Sequence, residues 1–186
     1  MEENQKIPMR SQVKKEDTWA IEDMYATVED WEKDFAAAKK VAEEAAEYAG
    51  RLGESAQALY DWSALTEKLD CMLSEIYGYA SRVKDQDTAD AAGQTLSARA
   101  MGLYVECSGL ISFADPEILS IPEEKLEAFY AEKPELLKYR RSINRSAQMQ
   151  GSYFIAGAGK DTGRCRGDGA GARNGLFVFG KCRPDL

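Results

Sequence analysis

The sequence contains no histidine among its 186 residues. Histidine is the commonest metal ligand in proteins and the commonest general base near neutral pH. Its absence excludes a zinc site with histidine ligands, a Ser-His-Asp triad and a Cys-His pair within this chain. The four cysteines include no Cys-x-x-Cys motif. Cys71 and Cys107 fall within helical patterns, where a cysteine behaves as a small hydrophobic residue.

Long apolar runs are also missing. No window approaches the roughly 18 continuous apolar residues of a membrane helix, and the N-terminal segment lacks the apolar core of a signal peptide. The 32 acidic side chains outnumber the 24 basic ones, which gives a net charge of −8. Nucleic-acid affinity comes mainly from clustered Lys and Arg. We therefore expect a cytoplasmic protein that binds neither nucleic acid nor membrane.

What the sequence does contain is helical periodicity, and residues 58–83 show it most strongly. Apolar residues recur there three and four positions apart, which places them on one face of a helix. The composition, 44% hydrophobic and 30% charged, is sufficient to bury a core. The pattern predicts an all-α fold, an antiparallel bundle of long helices organised around this central helix. The predicted buried row is Leu59, Trp62, Thr66, Leu69, Leu73, Ile76, Ala80 and Val83.

Helix start signals flank the central helix. Thr27 is the expected N-cap of the helix before it, Ser55 of the central helix itself, and Asp87 or Thr88 of the helix after it. We expect this third helix to bury Ala92, Leu96, Ala100, Leu103, Cys107, Leu110 and Ala114. A second row on the same helix consists mainly of small residues, and we expect it to pack closely against an adjacent helix; the row is Ala98, Gly102, Val105 and Gly109.

Prolines introduce the shorter helices that follow. Asp115 is the expected N-cap of a short turn with Pro116 at its first position, while Pro122 and Pro134 each open a further helix. The domain organisation we predict is an extended polar arm over residues 1–16, a helical domain over 17–150 and an irregular tail over 151–186. The tail holds nine of the fifteen glycines and is expected to be disordered.

Several short motifs were weighed as functional sites. Residues 156–163 partly match a phosphate-binding loop, but Phe154 and Asp161 stand where that loop requires glycine and Ser or Thr. The tripeptide at 166–168 is Arg-Gly-Asp, which we attribute to coincidence in a Gly/Arg-rich tail. Arg140 and Arg141 are expected to complement a helix dipole. The carboxylates that could bind a hard cation or exchange protons are expected to be solvated; they are Glu22, Asp23, Glu43, Glu44 and Glu47.

Six blocks of sequence, in this order and spacing, resemble the N-terminal helical region of oligoendopeptidase F, a bacterial zinc peptidase similar to thimet oligopeptidase. The resemblance extends over about residues 7–148, and its most specific part is the Trp-Ala-Ile-Glu-Asp-Met-Tyr segment followed by a Trp and a Phe. The blocks are TWAIEDMY (18–25), EDWEKDF (29–35), GRLGES (50–55), YGYAS (77–81), DPEIL (115–119) and IPEEKL (121–126).

The resemblance implies a truncated, non-catalytic part of a peptidase that hydrolyses short peptides. In that family the His-Glu-x-x-His helix, with zinc as cofactor, lies far downstream, and no position here matches it. No catalytic, cofactor-binding or metal-binding residue is therefore assigned to this chain. The family's N-terminal helices form one wall of an enclosed cleft, so the implied partner is the catalytic domain of the parent peptidase, with short peptides as ligands of the complete enzyme.

The tail does not resemble the family, which continues with more helices. We expect it to be translated out of frame, because an abrupt change from acidic helical sequence to Gly/Arg-rich sequence is typical of a frameshift. The alternative to a frameshift is a genuine flexible tail. The alternative to a peptidase fragment is a freestanding helical module. Such a module would use exposed apolar surface to bind another protein or to associate with itself.

Overall fold

The structure, a computed structural model, describes residues 12–144. The phosphate-loop-like motif, the Arg-Gly-Asp tripeptide and the tail lie outside these residues, as does most of the predicted N-terminal arm. The described part of the chain contains five α-helices and no strand, which confirms the all-α prediction. The helices are α1 (Val28–Ala46), α2 (Ala56–Gln86), α3 (Ala91–Leu110), α4 (Ala114–Ser120) and α5 (Glu123–Glu132).

Two of the predicted N-caps are confirmed. The side chain of Thr27 accepts a hydrogen bond from the backbone N–H of Asp30, and that of Ser55 accepts one from Ala58. The prediction for α3 was wrong, because Asp90 caps this helix through the N–H groups of Ala92 and Gly93. Asp87 instead accepts from the N–H of Ala89 within the turn before the helix.

The proline-introduced segments differ from the prediction in two places. Helix α4 begins at Ala114 after Phe113, so Asp115 lies in its first turn and does not cap it. The backbone N–H of Ala114 donates to the carbonyl of Ile111 across the turn of residues 111–113 that joins α3 to α4. Pro134 opens a 3-10 turn (Pro134–Tyr139), and α-helical residues follow only at 140–144. Pro122 directly precedes α5, as expected.

The larger hydrophobic core lies between α1, α2 and α3, which contact one another pairwise. Trp31 of α1 is completely buried at its centre, and its indole N–H donates to the backbone carbonyl of Ile76 at 3.0 Å. Five of the eight residues predicted for the central helix are fully buried, while Trp62, Thr66 and Val83 are half-buried. On α3, Leu96, Ala100, Leu103 and Cys107 are buried as predicted, whereas Ala92 is exposed and Gly93 is buried in its place.

A second core forms at the N-terminal end of α2. Leu52 and Leu59 pack there with residues of α4, α5 and the 3-10 turn, including Phe129 and Leu136. Because α2 has 31 residues and extends about 46 Å, its two ends reach different cores. The central helix therefore joins the three-helix bundle to the shorter helices that follow it.

The segment before α1 is anchored by Tyr25, which is buried and packs edge-on against Tyr79 at a ring-centroid distance of 5.2 Å. Its hydroxyl donates to the carboxylate of Asp34 at 2.9 Å. Trp19, in contrast, is 57% exposed. It lies between two 3-10 turns, Lys15–Asp17 and Ile21–Asp23.

Candidate functional site

The carboxylates considered in the sequence do not form a site in the structure. Glu22 and Asp23 are exposed before α1, and Glu43, Glu44 and Glu47 are exposed along its last turns. Among residues 12–144, no group of three or more His, Cys, Asp or Glu side chains could hold a metal ion. Backbone hydrogen bonding and the neighbouring ammonium group of Lys15 lower the pKa of Glu22, which stays ionised at neutral pH.

Arg140 contacts neighbouring side chains at the surface. Its guanidinium donates to Glu127 at 2.6 Å and lies over the ring of Tyr130, with 5.2 Å to the centroid. Arg141 is exposed. Arg140 therefore forms an ion pair that links the residues after the 3-10 turn to α5. The sequence suggested instead that both arginines complement a helix dipole.

The ion pairs between α1 and α3 join the two helices to each other. Arg99 of α3 forms two hydrogen bonds with Glu32 of α1, and its guanidinium lies over the rings of Trp31 and Phe35. Hydrogen bonding to Arg99 lowers the pKa of Glu32. Lys39 of α1 and Glu106 of α3 form a second pair at 2.6 Å. Both pairs fix α3 against α1.

A nucleophile is present but is not activated. Cys107 is a free, fully buried thiol on α3. Burial, together with the nearby carboxylate of Glu106, raises the pKa of this thiol to about 11. Since the thiolate is the reactive form, Cys107 has the properties of a core residue.

The outer side of α3 is exposed, and its residues take part in none of the ion pairs described above. The row of small residues predicted to pack against a neighbouring helix is exposed, so that prediction was wrong for the described structure. Val105 is 63% exposed and Met101 is 45% exposed. A Cβ atom added at Gly102 or at Gly109 would meet nothing within 4 Å. We call this surface the α3 outer face; it consists of Ala91, Gln94, Ala98, Met101, Gly102, Val105, Gly109 and Ser112.

None of the helices in the described region has the length and apolar character needed to cross a membrane. The α3 outer face carries no charged residue among its members.

Known proteins with similar sequences are bacterial oligopeptidases. Oligopeptidase PepF of Bacillus subtilis is 39% identical over 137 residues, which are 74% of this chain and 20% of the relative. Group B oligopeptidase PepB of Streptococcus agalactiae is 33% identical over 130 residues, 70% of this chain and 22% of the relative. No family model matches the sequence. The class of protein to which the chain is related is therefore that of the bacterial oligopeptidases.

Within that class, the chain is related to oligoendopeptidase F, which confirms the resemblance described above. The fold agrees, since the crystal structure of oligoendopeptidase F from Enterococcus faecium superposes with a TM-score of 0.60 at 24% identity. That likeness covers 66% of this chain and 24% of the Enterococcus chain. The chain spans about a fifth of the length of the curated relatives it matches.

Proposed function

We propose that this chain is the N-terminal, non-catalytic part of a cytoplasmic peptidase of the oligoendopeptidase F type, which hydrolyses short peptides. The observation that carries the proposal is the 39% identity to an oligopeptidase over a helical region that makes up 20% of that relative. The catalytic residues would come from polypeptide that this sequence does not include. The chain alone is expected to have no peptidase activity.

Zinc, the metal that the family resemblance implies, does not fit the residues present. The sequence has no histidine, and residues 12–144 bring no three potential ligands together. No catalytic step is therefore derived from this chain. What its residues supply is a helical wall, in which α1 and α3 pack on a core that contains Trp31 and form two ion pairs at the surface.

The alternative, a freestanding helical module that binds a protein partner or itself, is favoured by one observation. The α3 outer face exposes Met101 and Val105 without a charged residue among its members. Under this alternative the chain would act alone.

A direct test is to sequence the gene through codon 150 and to translate the downstream DNA in all three frames. The proposal predicts that one frame resumes acidic helical sequence and reaches His-Glu-x-x-His. If all three frames close without that motif, the short chain is the complete product and the module hypothesis replaces the proposal. Cleavage of a short peptide by the purified chain, abolished by a chelator, would contradict the claim of inactivity.

A further inference from the structure

The charges on α3 lie to one side of the helix. Arg99 and Glu106 are the charged residues of α3, and each pairs with a residue of α1, Glu32 and Lys39 respectively. Counted from Ala98, Arg99 lies about 100° and Glu106 about 80° around the helix, so both border the α3 outer face on the side of Gly102. The outer face thus stays uncharged from position 91 to position 112, over about 30 Å.

The exposed sides of the other long helices are different. On α1, Lys33, Lys40 and Glu43 are exposed, and on α2 Lys68 and Glu75 are exposed. A solvated helix face normally carries such charges. The outer face of α3 instead has the composition of a face that is covered in the working protein.

The small residues indicate what kind of element would cover it. Gly102 and Gly109 are two turns apart, and the space beside both is open. Glycine and alanine allow a second helix to approach closely, while Met101 and Val105 provide apolar area on either side of the approach. The complementary surface is therefore a helix with an uncharged, mainly apolar face.

A second copy of this chain is a poor occupant. A single helix face of about 30 by 10 Å offers about 300 Å², whereas a stable interface buries about 800 Å² on each partner. The net charge of −8 also opposes association of identical copies. A tethered helix needs far less contact area, because the covalent connection supplies a high effective concentration. The curated relatives have about four-fifths of their length beyond the matched region, which is sufficient to provide such a helix.

We propose that the α3 outer face is the surface on which the rest of an oligoendopeptidase F-type polypeptide docks, through an uncharged helix that packs along Gly102, Val105 and Gly109. This inference rests on the proposed function and specifies which surface of the helical region serves it.

The test compares two contexts. The first is the purified chain. The second is a chimaera in which the 137 matched residues of this chain replace the corresponding region of Oligopeptidase PepF from Bacillus subtilis. The substitutions are Val105→Lys and Gly102→Leu, and the control is Ser74→Lys at an exposed position of α2. Thermal unfolding is recorded for every variant in both contexts.

In the purified chain, Val105→Lys should leave Tm unchanged or raise it slightly, because lysine favours helix over valine and Val105 is exposed. Gly102→Leu should raise Tm, because leucine favours helix over glycine and its Cβ meets open space. In the chimaera, both substitutions should lower Tm by several degrees, since a charge or a bulky side chain then meets the docked helix. The Ser74→Lys control should have the same small effect in both contexts.

If the two substitutions change Tm equally in both contexts, the proposal is overturned. It is also overturned if the inserted region of the chimaera unfolds independently, at the Tm of the purified chain. A dimer of the purified chain that Val105→Lys dissociates would identify a second copy as the occupant. A second chimaera, built in the same way on the Streptococcus agalactiae relative, allows for the case that the Bacillus protein does not accept the replacement. If neither chimaera folds, that result counts against docking. Peptide cleavage is measured separately: a chimaera with the predicted Tm pattern but no cleavage contradicts the proposed function alone.

Discussion

At the scale of single residues, Glu117 of α4 joins parts of the chain that are distant in sequence. Its carboxylate accepts hydrogen bonds from the backbone N–H of Gly50 at 2.8 Å and of Leu52 at 2.6 Å. Gly50 has a φ of 80°, a conformation that glycine adopts readily and other residues rarely. One carboxylate thus holds the turn between α1 and α2 against α4.

Replacing Glu117 by glutamine should lower the free energy of unfolding by about 1–3 kcal/mol, because the amide group presents an N–H to a backbone donor and the charge-assisted bonds are lost. Urea unfolding monitored by circular dichroism measures this change. The matched control is Glu124→Gln on α5, an exposed position. Equal unfolding midpoints for the two variants would contradict the role assigned to Glu117.

Acidic pH should destabilise the protein. Hydrogen bonding to Arg99 lowers the pKa of Glu32, and hydrogen bonding to Lys138 lowers that of Glu67. A carboxyl whose pKa is lower in the folded state stabilises it above the unfolded pKa, near 4.5, and this contribution disappears as the pH falls through the lower folded value.

We therefore expect Tm to fall progressively below about pH 4.5. Scanning calorimetry between pH 3 and pH 7 measures the profile. Glu67→Gln should make the acid-side decline shallower, whereas Glu124→Gln should leave it unchanged. A profile that is steeper in Glu67→Gln would contradict the sign of this effect.

Cys107 should resist alkylation in the folded protein, because its thiol is buried and its pKa is raised to about 11. Iodoacetamide at pH 8 followed by mass spectrometry of the peptide that contains Cys107 tests this. We expect modification in urea and almost none without it. Rapid modification of the native protein would mean that α3 opens from the bundle.

At the scale of the helices, the caps set the boundaries. The sequence pattern around residues 87–90 offers three residues suited to capping in close succession, Asp87, Thr88 and Asp90. Local chemistry alone could not distinguish them, because the choice depends on where α2 ends and on the turn made by Asp87 and Ala89. Gly93 then approaches the backbone of Lys84 closely, with only 3.1 Å from a Cβ position to its Cα.

Asp90→Ala should lower the free energy of unfolding by about 1 kcal/mol, since two backbone N–H groups lose their acceptor. Thr88→Ala is the matched control and should have little effect. Urea unfolding distinguishes the two. A larger loss in Thr88→Ala than in Asp90→Ala would show that α3 starts earlier in solution.

At the scale of the whole molecule, periodicity predicted the helices because most of the apolar rows of α1 and α2 are buried within the described region. The same reasoning failed for the small residues of α3. Their spacing indicates a packed face, but periodicity cannot tell whether the neighbour lies within residues 12–144 or elsewhere. The absence of histidine likewise restricted the chemistry of the chain without indicating a function, and the proposed function rests on the relation to oligopeptidases.

The most direct test of the central claim is peptide hydrolysis by the chimaera of this chain with Oligopeptidase PepF from Bacillus subtilis. We expect the chimaera to cleave a short fluorogenic peptide in a chelator-sensitive way, and we expect no cleavage by the purified chain or by the relative without its matched region. A folded chimaera without activity, in the presence of an active unmodified relative, would contradict the claim that this chain serves as the helical part of such a peptidase.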